Sequence, residues 1–557
     1  MKKNYVPLCL FCITGLSGQI GINTSNPQAS LDIVAQSNAT AKGLLVPRLT
    51  SSEILAMSQQ SLLSDQQHSL IVFATSTALT SDFVTSKITQ PGFYRYTYNG
   101  ADPIQQYWRK MEPTAFERII QNGKSGIRLI DANPQNYANI GNNAVDASFS
   151  NQVIVGGNGA AGDYSFASGL NNVASGAGSV VMGEQNTSYG SHSFSGGLKS
   201  RAIGENSMAM GDEVDAVGKN TIAFGKTNSV SWADNSSILA GRNNRLSSSL
   251  NSVILSGHNN TVNLTGSADD NFSSPNYNGI SNNILGGYNN TISGTLIQHH
   301  TIVGGTYNIM NQGRYSVISG GSGNKIRPIS APYNADYFDS NVIAGGESNE
   351  INADRSVIGG GANNSIKIQG YRIFGGGAGF GVIAGGQNNI IDDAHYSFVL
   401  GGKYNKTKGS YSIVGGASNT AQSVGEISLG IFGTLYTAQY INGYTHNGTW
   451  NIDFNESKDR LFNLGNGKTI NMGNLGEYAQ RSDAFTVLKN GQVGIDIDNF
   501  ETNTTSAKLQ VNGGIKISAP SSILSGNICD NPNRGQIIFV QDNFYGCKST
   551  GWVLLNN

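Results

Sequence analysis

The stretch SFASGLNNVASGAGSVVMGEQNTSYGSHSFSGGLKSRAIGENSMAMGDEVDAVGKNTIAFG, residues 165–225, decides the fold. Ser165, Ser179, Ser193, Ser207 and Thr221 fall fourteen apart, and each opens the pattern S-x-[small]-x-G-x-x-x-x-[small]-x-G. A fixed short period makes each repeat one unit that cannot bury its own apolar face, so neighbours must stack to form a core. Fourteen residues allow two short strands and two tight turns, too few for a strand plus a helix. The period therefore predicts an all-β chain built around a parallel β-solenoid.

Small residues stand two places after each start, at Ala167, Val181, Ser195, Ala209 and Ala223, with glycine two places further on. Strand alternation puts both sets on one face. The other face carries Phe166, Val180, Phe194, Met208 and Ile222, with Met182, Met210 and Phe224 two residues later in their rungs. A first strand apolar on both faces needs a second burial partner, and a thin roll has only one interior. The expected partner is another copy of the chain, and the expected assembly a homotrimer.

From about residue 235 the rung lengthens and reads S-V-I-x-G-G-x-x-N-x-[I/V]. An asparagine follows the last glycine by three residues at Asn244, Asn260, Asn290, Asn308, Asn324, Asn349, Asn364, Asn389, Asn405 and Asn419. Asparagine tolerates left-handed backbone, and its amide pairs with the same amide one layer away, so these positions predict a stacked turn ladder. Insertions enter after the N-x-[I/V] element, which places them along one edge of the solenoid. They carry Phe272 and Tyr277, then His299 and His300, then Tyr333, Tyr337 and Phe338. Roughly seventeen rung starts at about 4.8 Å per layer give a rod on the order of 80 Å long.

The flanks repeat each other in outline. Gly21-Ile22 precedes Leu31-Asp32-Ile33, and Gly494-Ile495 precedes Leu509-Gln510-Val511. Aromatic strands follow in each, at Phe93-Tyr94-Arg95-Tyr96 with Trp108 and at Phe544-Tyr545 with Trp552. A short helix is expected between Glu53 and Leu63 from the spacing of Ile54, Leu55, Leu62 and Leu63.

The net charge of −1 lacks the basic footprint of a nucleic-acid binder. Charged residues are only 13% of the chain, yet the regular Val/Ile pairs argue against disorder. Lys2 and Lys3, an apolar stretch from Val6 to Leu16, and Ser17-Gly18 read as a signal peptide over residues 1–18. No other segment reaches the roughly 18 apolar residues a membrane helix needs. Cleavage removes Cys9 and Cys12, leaving Cys529 and Cys547 as an expected disulfide in an exported protein.

Residues 151–430, on the motifs S-F-A-S-G, S-M-A-M-G, T-I-A-F-G and S-V-I-G-G-G, resemble the head of trimeric autotransporter adhesins, the YadA-like family. That resemblance implies a left-handed parallel β-roll packed as a trimer, and adhesion to a host, matrix or glycan surface. The stretches S-D-A-F-T-V-L-K-N-G-Q-V-G-I from Ser482 and G-I-N-T-S-N-P from Gly21 resemble modules of secreted Gram-negative proteins and phage tail fibres. The family's C-terminal anchor of amphipathic barrel strands finds no match.

The expected organisation is a signal over 1–18, β modules over 19–113 and 496–557, connectors over 114–150 and 431–495, and the β-roll between them over 151–430. No catalysis, metal or cofactor is expected. Asp392 and Asp393 beside His395 read as solvated turn residues, and His299-His300 lacks the further ligands of a metal site. The function expected is a secreted or cell-surface adhesin-like protein at the outer surface of a Gram-negative bacterium. Recognition of a surface protein or glycan is placed on Phe272, Tyr277, Tyr333, Tyr337 and Phe338, exposed rings that offer large contact area at low entropic cost. A phage-type receptor-binding tail fibre is the alternative, and a solenoid polysaccharide-active enzyme stands behind both.

Overall fold

The computed structural model describes residues 20–22, 31–33, 44–59, 63, 67–78, 85, 88, 90–97, 107–111, 115–130, 132–152, 157–265, 280–327, 340–368, 379–441, 457–471, 477–517, 529, 534–540 and 542–555. The chain divides into two compact units, Met1–Ala115 and Phe116–Asn557. The first holds the helix Ser51–Gln59 against a sheet whose buried cluster includes Ile54, Val72, Tyr94, Tyr96 and Trp108. This helix begins two residues before the expected Glu53 start. Thr50 fixes it there: its side chain meets the Glu53 carboxylate at 2.8 Å, while its backbone N–H donates to the same oxygen at 2.6 Å.

The second unit is a β-solenoid with two parallel sheets. One begins in the rungs at Phe166–Leu170, and each strand pairs with the next rung's, Phe166 with Val180, Val180 with Phe194, Phe194 with Met208. The other is 16-stranded and runs from Gly159–Ala160 to Thr420–Ala421. The first sheet continues past the rungs through parallel pairing with Val145–Phe149 at one end and Arg460–Asn466 at the other.

Rung length follows interior size. In the fourteen-residue rungs the inward positions are small: Ala167, Ala209 and Ala223 on one sheet, Ala174, Ala202 and Ala216 on the other, all fully buried. In the longer rungs the same columns become Ile254, Ile284, Ile343 and Ile383, facing Val262, Ile292, Ile351 and Ile391. Two opposed isoleucines need a wider cross-section than two alanines, so a longer rung encloses the bulkier pair at interior density.

The glycines two places beyond the small residues do not share their burial. Gly169 lies in the strand Phe166–Leu170 with φ 98°, and a Cβ there would lie 2.0 Å from the Gly183 carbonyl of the next layer. Its constraint is left-handed backbone plus close stacking, not core packing.

The ladder asparagines also differ from the expectation. The left-handed residue is the one before, Asn243, Asn259, Tyr307, Asn363 or Tyr404, while the ladder side chain turns inward and is buried. Each Oδ1 accepts the backbone N–H of its counterpart one layer on, at 3.0 Å from Asn308 to Asn290, from Asn364 to Asn349 and from Asn405 to Asn389. Each Nδ2 donates to a backbone carbonyl of its own rung and to a glycine carbonyl of the next, as Asn364 does to Gly360 at 3.0 Å and Gly386 at 2.9 Å. The asparagine thus satisfies backbone groups that a turn buried between layers would otherwise strand.

A second buried polar column, broken at Gly381, whose N–H still donates to Ser356 Oγ at 3.1 Å, starts the rungs. In the short rungs its hydroxyl closes the turn, Ser165 on the Gly162 carbonyl and Ser207 on that of Gly204, both at 2.6 Å. In the long rungs it receives the next layer's amide: Asn282 donates to Ser252 Oγ at 3.0 Å, His300 to Asn282 Oδ1 at 3.2 Å, Ser316 to His300 Nδ1 at 3.3 Å, and Asn341 to Ser316 Oγ at 3.2 Å. His300 is therefore a ladder residue inside the solenoid, not part of an edge insertion; the strand Thr291–Gln298 runs up to it.

Arginine networks close both ends. Arg128 pairs with Asp146 at 2.9 Å, both buried, and lies 4.5 Å over the Tyr137 ring. Arg460 pairs with Asp483 at 3.2 Å and Glu501 at 2.8 Å, and lies 4.7 Å over Tyr436. Its Nη1 also donates to the Thr434 carbonyl at 2.9 Å. These groups give the terminal layers polar partners that a further rung would otherwise supply.

Candidate functional site

The outward faces of the two sheets are unlike. On the 16-stranded sheet, charged residues fourteen apart pair between layers, as Arg201 does with Asp215 at 2.6 Å; Lys406 meets Asp392 there in the same way at 2.6 Å. Such pairs are solvated and worth under about 1 kcal/mol each, so that face is at home in water.

The first sheet presents two apolar columns instead. Phe166, Val180, Phe194, Met208 and Ile222 stack in register and are half-buried by one another. Beside them, Met182, Met210, Leu255, Val303 and Leu400 each remain between 43% and 52% exposed. The register carries the first column on through Ser237, Val253, Asn283 and Thr301, where polar residues interrupt it, to a second apolar stretch at Val317, Val342, Val357 and Val382. There the neighbouring column shrinks to Ser319, Ala344, Gly359 and Ala384, which lets an opposing surface approach closely. Apolar stretches of this extent on an outward face suit protein association.

The turn preceding each rung start forms another column, and it collects aromatic side chains. Phe380 stacks on Tyr396 at 4.8 Å, Tyr396 on Tyr411 at 5.0 Å, and Arg355 caps the stack 5.0 Å over Phe380. His299 and Tyr315 stack at 4.9 Å in the same column. The signal was present in the sequence as aromatic residues immediately before rung-start serines, Tyr164-Ser165, Tyr315-Ser316, Tyr396-Ser397 and Tyr411-Ser412.

The candidate recognition residues Phe272, Tyr277, Tyr333, Tyr337 and Phe338 lie outside the described residues, as does the segment 1–18. Cys529 and Cys547 are joined by a disulfide across a sequence separation of 18. Asp392 pairs with Lys406, and Asp393 takes left-handed backbone at φ 54°. Burial lowers the pKa of His395 and of His299. Burial drives His300 furthest, to about 4; with Nδ1 accepting from Ser316, its Nε2 carries the proton and donates to the Gln312 carbonyl at 3.0 Å. Among the described residues no group of three or more His, Cys, Asp or Glu side chains gathers as a metal site, and no helix is long and apolar enough to cross a membrane.

Residues 19–124 match the family described as phage tail like trimerisation region. No curated protein matches the chain. A trimerisation region followed by a long β-solenoid fits a phage-tail-fibre-like trimeric protein, and the apolar face of the first sheet is the part of the solenoid suited to such an assembly.

Proposed function

We propose that the chain is a trimeric, tail-fibre-like structural protein whose solenoids associate through the apolar faces of their first sheets and whose outer surface meets a receptor on a target cell. The match of residues 19–124 to a trimerisation region carries this reading. The uncovered face supports it independently. At about 25 cal/mol per Å² of apolar surface, a column of half-exposed Met and Leu residues repeated over the rungs favours association by many kcal/mol. Three-fold symmetry lets one face serve every subunit. The receptor is a cell-surface protein or glycan, and neither this reading nor the next assigns the chain a catalytic step.

The fourteen-residue rungs favour a second reading, a secreted adhesin held at the outer surface of a Gram-negative cell, with residues 1–18 as its export signal. Immunogold labelling of cells that make the protein separates the two. Gold on tail-like particles supports the fibre; gold confined to the surface of the producing cell, with residues 1–18 removed from the purified chain, supports the adhesin and overturns the fibre.

A further inference from the structure

The C-terminal region reproduces the N-terminal one in register as well as in order. Ile20, Gly21 and Ile22 pair in parallel with Leu31, Asp32 and Ile33, while Val493, Gly494 and Ile495 pair in parallel with Leu509, Gln510 and Val511. A three-stranded antiparallel meander follows each pair: Ile71–Ala74, Gly92–Thr97 and Tyr107–Lys110 in one case, Ile537–Val540, Asn543–Lys548 and Gly551–Leu554 in the other.

Side chains occupy corresponding places in the two meanders. Phe73 faces Phe93 across the first two strands with ring centroids 5.1 Å apart, and Phe539 faces Phe544 at 4.8 Å. Three residues beyond each second phenylalanine stand Tyr96 and Cys547, opposite Trp108 and Trp552 respectively. Four matched positions on three strands are more than a shared meander requires.

The two copies differ in what covers them. The N-terminal meander buries Val72, Ala74, Tyr94, Tyr96 and Trp108 together with Ile54 of its helix. Among the described apolar side chains of the C-terminal meander only Val540 and Cys547 are buried; Leu554, on their face, is 47% exposed, and Ile537 and Leu555, on the opposite face, are 51% and 45% exposed. Three strands with so little core need a further apolar layer, since a small sheet stapled by one disulfide rarely supplies enough burial alone.

We infer that residues 493–555 form a second trimerising module, in which the face of the meander that carries Trp552 and Leu554 packs on the same segment of two further copies of this chain. The occupant follows from the duplication: the twin of this module lies within the stretch that matches a trimerisation region. The inference rests on the trimeric reading above and adds a second point of assembly to it.

The full-length chain carrying Cys9→Ser and Cys12→Ser, with its native disulfide kept oxidised, tests this once Leu554→Cys or Leu509→Cys is added. A short bismaleimide should link either variant into two- and three-chain species. Arg245→Cys, on the outward face of the 16-stranded sheet, should stay single. The mass of each sample before cross-linking separates the two claims. A trimer that yields only single chains from both Leu554→Cys and Leu509→Cys overturns the second module and leaves the trimer standing. A monomer overturns both, and equal cross-linking at Arg245→Cys overturns the placement.

Discussion

Asn349 Oδ1 accepts the backbone N–H of Asn364 at 3.0 Å, and Asn364 does the same for Asn389 at 3.0 Å. The asparagine column is therefore a chain of acceptors in which each side chain depends on the layer before it and serves the layer after. Removing one link strands groups in two neighbouring layers.

Asn364→Ala deletes the acceptor for Asn389 and the donor shared by Gly360 and Gly386. Stranding buried groups at about 1–3 kcal/mol each predicts a loss of roughly 3 kcal/mol or more, read as a lower denaturation midpoint and faster amide exchange over residues 349–389. Asn363→Gly, at the left-handed position with φ 54°, should change the midpoint little. Equal losses from the two variants would show that the turn conformation, not the side-chain ladder, holds the layers.

His300 predicts one pH dependence. Burial lowers its pKa to about 4 from 6.5, so between those values the unfolded chain binds a proton that the folded chain does not. Its contribution is fully present above pH 6.5 and is lost as pH falls towards 4, by about 3 kcal/mol in all. His300→Asn, which copies the neighbouring Asn282 and Asn341, should remove that slope from urea midpoints measured across this range. An unchanged slope would place the titration elsewhere.

Glu426 predicts the opposite sign. It ends the same column, fully buried, with Oε2 accepting from Gln422 N at 2.7 Å, Ser423 N at 2.9 Å and Tyr436 Oη at 2.9 Å, while Oε1 accepts nothing. Burial raises its pKa to about 7 from 4.5 despite Arg460 nearby, so the folded chain holds a proton the unfolded chain has lost. Stability from this group is present below pH 4.5 and declines as pH rises towards 7. Glu426→Gln should therefore raise the urea midpoint at pH 8, where the folded chain bears the cost of a buried charge, and leave it close to wild type at pH 4; a loss at pH 8 would mean that the hydrogen bonds to the carboxylate outweigh its burial.

The solenoid was legible because its residues repeat: spacing alone located the rungs, the small inward column and the asparagine series. What spacing does not show is which atom a repeated residue serves. Asn364 was legible as a ladder position, but the left-handed backbone belongs to Asn363 before it. The rung-start column escaped notice in the long rungs because Ser, Asn and His all fill it, unified by an acceptor that takes the next layer's amide. His300 was read as part of an insertion for that reason. The apolar face was legible from strand alternation at Phe166 and Met210, since both faces of one strand cannot share one interior.

Light scattering on the full-length chain at micromolar concentration tests the central claim most directly. Three copies held by the trimerisation region and the apolar face predict a mass three times the 58.8 kDa of one chain. A stable species at the mass of one chain would contradict it.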